Sequence, residues 1–297
     1  MSGIIVIDKA EDWTSHDVVA KLRGILQEKR VGHGGTLDPL ATGVLPVFTG
    51  RATRAVEFCE ASDKEYIAGL RLGLVTDTQD ITGTVLRASP VDVAPGDIGD
   101  VLMRFTGAQM QLPPMYSAVK IGGKKLYELA RRGIDVERTP RPVTIGAIEL
   151  LDGNGSDLHL RVVCSKGTYI RTLCHDIGNA LGCGGVLFSL RRIRAGSFRL
   201  KDAVTLKDVE DAARTRRLKD IVRPVDSLFA DHPALTIDGA QKVKCLNGNG
   251  FPAEGNDGLY RVYDEEHHFL MLGRLDNGTM TTVKSFFEPS SSSRERK

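Results

Sequence analysis

No apolar run in the 297-residue chain approaches the roughly 20 residues that a membrane-spanning helix needs, so no membrane partner is expected. The opening stretch "MSGIIVIDKAEDW" lacks a basic segment and a small-residue cleavage site, and no signal peptide is expected. The five cysteines (Cys59, Cys164, Cys174, Cys183, Cys245) are odd in number and show no C-x-x-C spacing. That pattern argues against a disulfide framework or a zinc site and for a reducing compartment, here the cytoplasm. His267 and His268 are adjacent but have no cysteine nearby, and neither a metal nor another cofactor is expected. No Gly-Lys-Ser/Thr follows the glycine-rich stretch near residue 35, which excludes a P-loop. No internal repeat is found.

What is present is an ordinary globular composition, 41% hydrophobic and 26% charged, in a chain longer than one typical domain. The net charge of +2 is unevenly spread. Residues 119–142 hold seven Lys/Arg against three Asp/Glu, and residues 189–224 hold eleven against five. Residues 225–297 hold eight against eleven. Two basic blocks suit a polyanionic partner. Either block alone reads equally well as a solvated helix face.

Periodicity places the elements. Gly3–Ile7 is a short apolar strand. Thr14 or Ser15 caps a helix whose Val18, Val19, Leu22, Ile25 and Leu26 share one face. Tyr66, Ala68, Leu70 and Leu72 alternate with more varied neighbours, as a strand requires. A helix is expected near Ile98–Phe105, a strand at Leu158–Cys164, and a helix carrying Ile170, Leu173, Cys174, Ile177 and Leu181 as its apolar stripe. Pro224 and Pro233 bracket an expected linker. Beyond it, "LYRVYD", "FLMLGRL" and "TMTTVKSFF" alternate with Asn-Gly, Asp-Gly and charged turns, which reads as a small all-β unit.

The stretch "VGHGGTLDPLATGVLPVFTGRATR" (31–54) places a lone carboxylate, Asp38, among five glycines. Asp-Pro is a good helix N-cap with proline at the first helical position, and Gly43 would close a single turn. A catalytic carboxylate on a backbone free to approach its ligand reads the same way.

These residues resemble the aspartate motif of the TruB-type tRNA pseudouridine synthases, which isomerise the T-loop uridine to pseudouridine. The likeness continues in order. "KEYIAGLRLGLVTDTQDITG" is similar to the family's tyrosine strand, and "PPMYSAVKIGGKKLYELARRG" to its RNA-binding insertion. "SKGTYIRTLCHDIGNALG" with "LRRIRAGSF" resembles its arginine motif and leucine strand, and the final unit resembles a PUA domain. Three positions depart from the family pattern. "DKAEDWTS" has Ala10 and Asp12 where Lys-Pro-x-Gly is frequent, which bears on how Lys9 is presented. Gly34 stands where threonine or alanine is common.

The resemblance implies an α/β fold of α+β type. A mixed, largely antiparallel central sheet would form a catalytic domain over 1–230, with an insertion at about 105–142. A PUA-like barrel would follow over 231–287 and a disordered tail over 288–297. Asp38 would be the catalytic carboxylate, Arg171 its charge partner, and Tyr66 a residue that stacks on the uracil and can act as a base. His33, Tyr169, Leu190 and Lys9 would contact substrate. Lys124, Lys125, Arg131, Arg132, Arg191 and Arg192 would contact RNA phosphates.

Read without the resemblance, Tyr66 is a core aromatic, Arg171 a surface arginine, His33 a loop histidine, and Tyr169 and Leu190 packing residues. One feature of Arg171 stands apart. It falls in the first turn of its helix, where the dipole disfavours a cation, and neither its i−4 nor its i+4 neighbour is acidic. A non-local carboxylate is therefore expected beside it.

The expected activity is isomerisation of a flipped tRNA uridine by a monomeric, cofactor-free enzyme acting on the T-arm stem-loop. The alternative is a non-catalytic RNA-binding or tRNA-folding protein on the same scaffold, which would not need Asp38. A nucleoside hydrolase would not need two basic blocks. A guide-RNA-dependent variant is less compatible with the short chain and the intact insertion.

Overall fold

A computed structural model describes residues 1–287; the tail at 288–297 lies outside the described residues. The larger sheet is built from β1 (Gly3–Lys9), β2 (Val31–His33), β3 (Ala41–Thr49), β4 (Lys64–Leu72), β5 (Gly107–Gln111), β6 (Arg141–Asn154), β7 (Asp157–Cys164), β8 (Gly185–Ala195) and β9 (Phe198–Arg199). Its order is β1-β3-β8-β4-β7-β6-β5, with β2 beside β3 and β9 beside β8. Every pairing is antiparallel except β3 with β8. The expected mixed, largely antiparallel sheet is the one observed.

Burial on both faces explains the unbroken apolar run of β1. Ile5 and Ile7 enter the core beneath the helices, whereas Ile4 and Val6 enter a second core on the opposite face. Strand β3 divides in the same way, with Leu45 and Val47 on one side and Val44 and Phe48 on the other. Strands buried on both faces lose the polar alternation that a one-sided strand keeps.

The helix Ser15–Leu26 is capped by Thr14, whose hydroxyl accepts from the Asp17 N–H while the Asp17 carboxylate accepts from Thr14 N. The helices Pro95–Arg104 and Ile170–Ala180 lie on the same face of the sheet. The stripe Ile170, Leu173, Cys174 and Ile177 is buried there as the spacing predicts.

The smaller sheet orders its strands β10-β12-β13-β14-β11, where β10 is Ala234–Ile237, β11 Phe251–Pro252, β12 Gly258–Asp264, β13 Phe269–Asp276 and β14 Thr279–Ser285. It curls into a half-barrel around Ile237, Phe251, Val262, Met271 and Met280. The segment read as a linker is instead a docked helical turn, Val225–Phe229, with the Phe229 ring only 4% exposed. Phe229, Phe269, Phe286 and Leu272 join the second core together with Ile4 and Val6.

Candidate active site

Asp38 lies in the loop between β2 and β3. The helical turn that Asp-Pro and Gly43 imply does not form. A single β-turn takes its place, closed by the Ala41 N–H donating to the Asp38 carbonyl at 3.0 Å, with Pro39 at its second position. Gly43 serves another purpose. A Cβ there would lie 2.3 Å from the Arg192 carbonyl oxygen, so glycine permits the close approach of β3 to β8.

The loop is fastened residue by residue. The Ser15 hydroxyl donates to the Leu37 carbonyl at 3.1 Å and accepts from the Leu37 N–H at 2.8 Å. The Asp12 N–H donates to the Pro39 carbonyl at 3.0 Å. Asp12 has φ +65°, the left-handed region that explains why glycine suits this position. The Lys9 ammonium donates to the carbonyls of Ala10, Trp13 and Pro39 at 2.8, 2.6 and 3.2 Å. Lys9 is 1% exposed, and burial pulls its pKa down to about 8, partly countered by the charge of Asp38. Lys9 therefore holds the loop from beneath, with its ammonium spent on main-chain carbonyls.

The carboxylate expected beside Arg171 is Asp38. Arg171 Nε meets Asp38 Oδ2 at 2.9 Å. Its Nη1 lies 3.5 Å from Asp80 Oδ2 and donates to the Thr78 carbonyl at 3.1 Å, and its Nη2 donates to the Tyr116 carbonyl at 2.8 Å. The arginine side chain is 6% exposed and that of Asp38 is 43% exposed. A fixed cation thus presents a carboxylate to the open side. Asp80, absent from the expected site, is itself clamped by the Thr78 and Thr82 hydroxyls at 2.8 and 2.6 Å. Its one signal in the sequence is an aspartate set among three threonines in "TDTQDIT".

Tyr66 is 8% exposed, and burial raises its hydroxyl pKa, with the charge of Asp38 adding to the rise. Tyr169 caps the arginine helix. Its N–H donates to Gln111 Oε1 at 2.8 Å, and its carbonyl accepts from Gln111 Nε2 at 3.1 Å. Gln111 is 4% exposed, an edge-strand side chain that motif reading passed over. Leu190, paired with Ala68 and Ala41, packs half-buried at the rim of the core. The half-buried His33 ring meets His16 edge-on at 5.9 Å. Burial, with His16 and Arg192 nearby, pulls its pKa down to about 4. The structure therefore gathers Asp38, Arg171 and Tyr66 as the motif order implies.

The phosphate contacts divide. Lys124, Arg131 and Arg132 are exposed, and Lys125 is half-buried against the Tyr127 ring at 5.3 Å. The hairpin that carries Lys124 and Lys125 turns through Gly122 and Gly123, both at positive φ, and Arg131 and Arg132 follow the short helix Leu126–Ala130. Arg192, by contrast, is 1% exposed. Its guanidinium is spent on main-chain carbonyls rather than turned to the surface. Arg191 is half-buried and spends its guanidinium on Asp8 at 2.8 Å. Charge counting also overstates the second basic block. Arg194 pairs with Glu65, Arg223 with Asp202, Arg214 with Asp211 and Arg217 with Asp220.

The site is a carboxylate on a pinned loop, held by a buried arginine at 2.9 Å and open on its other side, where a base could meet it. Residues 23–170 match the TruB family pseudouridylate synthase N-terminal domain, and residues 171–230 match the tRNA pseudouridylate synthase B C-terminal domain. The chain belongs to the TruB family of pseudouridylate synthases. It is 40% identical over 292 residues to tRNA pseudouridine synthase B of Clostridium kluyveri, covering 96% of this chain and all (100%) of that one. It is 46% identical over 267 residues to the protein of the same name in Dechloromonas aromatica, covering 89% of each. Among solved structures, a Cbf5-Nop10-Gar1 complex matches with TM-score 0.75 and 28% identity, over 97% of this chain and 85% of that one. An H/ACA RNP bound to a substrate RNA containing 2′-deoxyuridine matches with TM-score 0.73 and 26% identity, over 97% and 86%.

Proposed function

We propose that this synthase acts on the T-loop uridine of tRNA, as a cytoplasmic monomer that needs no guide RNA. The substrate reading rests on the names of relatives that match the chain almost end to end. The insertion, through Lys124, Lys125, Arg131 and Arg132, would hold the T-arm, and the C-terminal half-barrel, at about 231–287, would act as a PUA-like RNA-binding unit beside a catalytic domain at 1–230. Extruding a stacked base costs about a few kcal/mol, which phosphate contacts at the insertion offset.

The observation that carries the mechanism is the Arg171–Asp38 pair at 2.9 Å, with the carboxylate facing outward. Arg171 fixes one carboxylate oxygen, so the rest of the group is presented to the flipped nucleotide in one orientation. The N1–C1′ bond breaks, the uracil turns within the pocket and a C5–C1′ bond forms; C5 gives up its proton to the Asp38 carboxylate and N1 takes one up, so the isomerisation is proton-neutral. Tyr66, with its hydroxyl pKa raised, stays neutral and serves as a stacking wall rather than a ready base. His33, neutral at physiological pH, offers an uncharged flat ring to the stack that the base vacates.

Asp38→Asn tests the assignment, since it removes the charge and keeps the shape. Pseudouridine formation, mapped base by base on an unmodified tRNA, should fall below detection while tRNA affinity stays within about twofold, because phosphate contacts dominate binding. Arg171→Lys keeps the charge but loses the planar fork, and should lower turnover more than affinity. Wild-type turnover by Asp38→Asn would move the reading to the RNA-binding alternative.

A further inference from the structure

Arg192 is a buried cation that neither the phosphate contacts nor the pair at Asp38 accounts for. Its Nε donates to the Val44 carbonyl at 2.7 Å, its Nη2 to the Gly35 carbonyl at 3.0 Å, and its Nη1 to the Thr36 carbonyl at 3.4 Å. These acceptors lie on both limbs of the Asp38 loop, Gly35 and Thr36 before the carboxylate and Val44 after it. In the sheet, Arg192 stands directly opposite Tyr66 on one side and Gly43 on the other. The charge of Arg192 also acts on the Tyr66 hydroxyl, holding back part of the rise that burial causes.

One planar fork therefore binds the main chain on both sides of Asp38, from a residue that stands beside Tyr66 in the sheet. Lys9 and Lys64 are also buried nearby, and the charge of Arg192 acts against both. A third buried cation in that neighbourhood is costly, and carbonyl oxygens offset the desolvation only if every donor is placed. The glycines make room for it. Gly35 takes φ +110°, and the missing Cβ at Gly43 lets the Arg192 main chain approach β3.

We infer that Arg192 is a positioning residue of the reaction: it sets the distance and angle between Asp38 and Tyr66 across the uracil pocket by tying both to strand β8. This rests on the reading of Asp38 as the catalytic carboxylate. It differs from a role in RNA binding and from mere stability, because it requires the chemical step to fail while tRNA still binds.

The test compares wild type, Arg192→Gln and Arg192→Lys, with Asp38→Asn as the control for the underlying reading. Affinity for unmodified tRNA, single-turnover pseudouridine formation and thermal unfolding are measured on each. Arg192→Gln should bind tRNA within about twofold of wild type and form pseudouridine about 100-fold more slowly, the cost of misplacing a reacting group. Arg192→Lys restores the charge without the fork, and should recover about tenfold of that rate. If Arg192→Gln does not fold, Arg192→Lys decides alone: a slowed step at unchanged affinity supports the role, and a wild-type step overturns it. Affinity falling in parallel with rate would return Arg192 to RNA contact, and full activity in Arg192→Gln would leave it no part in the reaction. Turnover surviving in Asp38→Asn would instead overturn the carboxylate reading, independently of the Arg192 result.

Discussion

At Gly34 the chain has given up a side chain and filled the space from elsewhere. A Cβ there would lie 2.6 Å from Cys59 Sγ, 2.9 Å from Cys59 Cβ and 3.0 Å from Phe48 Cε2. Gly34 and Cys59 are therefore a coupled pair next to the catalytic loop. Gly34→Ala alone should destabilise by about 1–3 kcal/mol through overpacking. Cys59→Ala in the same chain should recover part of that loss, because it removes the sulfur that the new methyl meets at 2.6 Å while the Cβ at 2.9 Å remains. A denaturant-melt double-mutant cycle reads the coupling, and additive effects would refute the pairing. His33 supplies a second residue-scale prediction. Its pKa falls from the ordinary histidine value of 6.5 to about 4 on folding, so the unfolded chain binds more protons between those values. The stability that comes from neutral His33 is present above pH 6.5 and is lost as pH falls toward 4. The stability difference between wild type and His33→Gln should shift against wild type across that window by about 2–3 kcal/mol and stay constant above it. A pH-independent difference would mean that the histidine is not held neutral by the fold.

At the scale of elements, the RNA contacts proposed for the insertion can be tested directly. Replacing Lys124, Lys125, Arg131 and Arg132 with glutamine should leave the fold intact, since these side chains lie at the surface or half-buried on a short hairpin and turn. Affinity for tRNA should fall, and the slope of log affinity against log salt should flatten by about 0.7–0.9 for each phosphate that is no longer neutralised. An unchanged slope would place the RNA elsewhere. Period and punctuation made most elements legible: Tyr66–Leu72, the Ile170 stripe and the three C-terminal strands lie where alternation and turn residues place them. The pairing of Asp38 with Arg171 was legible, because motif order and an arginine without a local carboxylate both pointed to it. It was not legible where a charge is spent inside the fold. Lys9, Arg191 and Arg192 look like surface cations in a list of residues, but carbonyls and an aspartate distant in sequence absorb them. One clue was present for Arg192, which shares a strand face with Leu190 at period two and so points toward the core. Asp80 and Gln111 act through contacts 91 and 58 residues away along the chain (Asp80 to Arg171, and Gln111 to Tyr169), which no local pattern encodes.

At the scale of the whole molecule, the two sheets share a core. Phe229 lies 5.2 Å from Phe58, 6.2 Å from Phe269 and 5.9 Å from Phe286, and the Phe269 and Phe286 rings stack at 5.3 Å. An ion pair between Lys284 and Glu57 spans the same seam. The apolar faces of β1 and β3 that look away from the helices are covered in part by this cluster. The half-barrel is thus a structural lid on the catalytic sheet as well as a candidate RNA-binding unit, and the two parts should unfold together. Phe286 is 7% exposed at the centre of the seam, and Phe286→Ala should cost about 3–5 kcal/mol as a large-to-small core change. Calorimetry of the full chain should give one transition for wild type, with equal calorimetric and van't Hoff enthalpies, displaced to lower temperature in the variant. Two resolved transitions, with only the one assigned to the half-barrel moved by Phe286→Ala, would mean that the seam transmits little stability. In that case a chain cut after His232 should remain folded and soluble. If the transition is single, the same cut should expose the Ile4, Val6 and Phe229 surface and yield a protein that aggregates, even though every proposed catalytic group lies upstream of the cut.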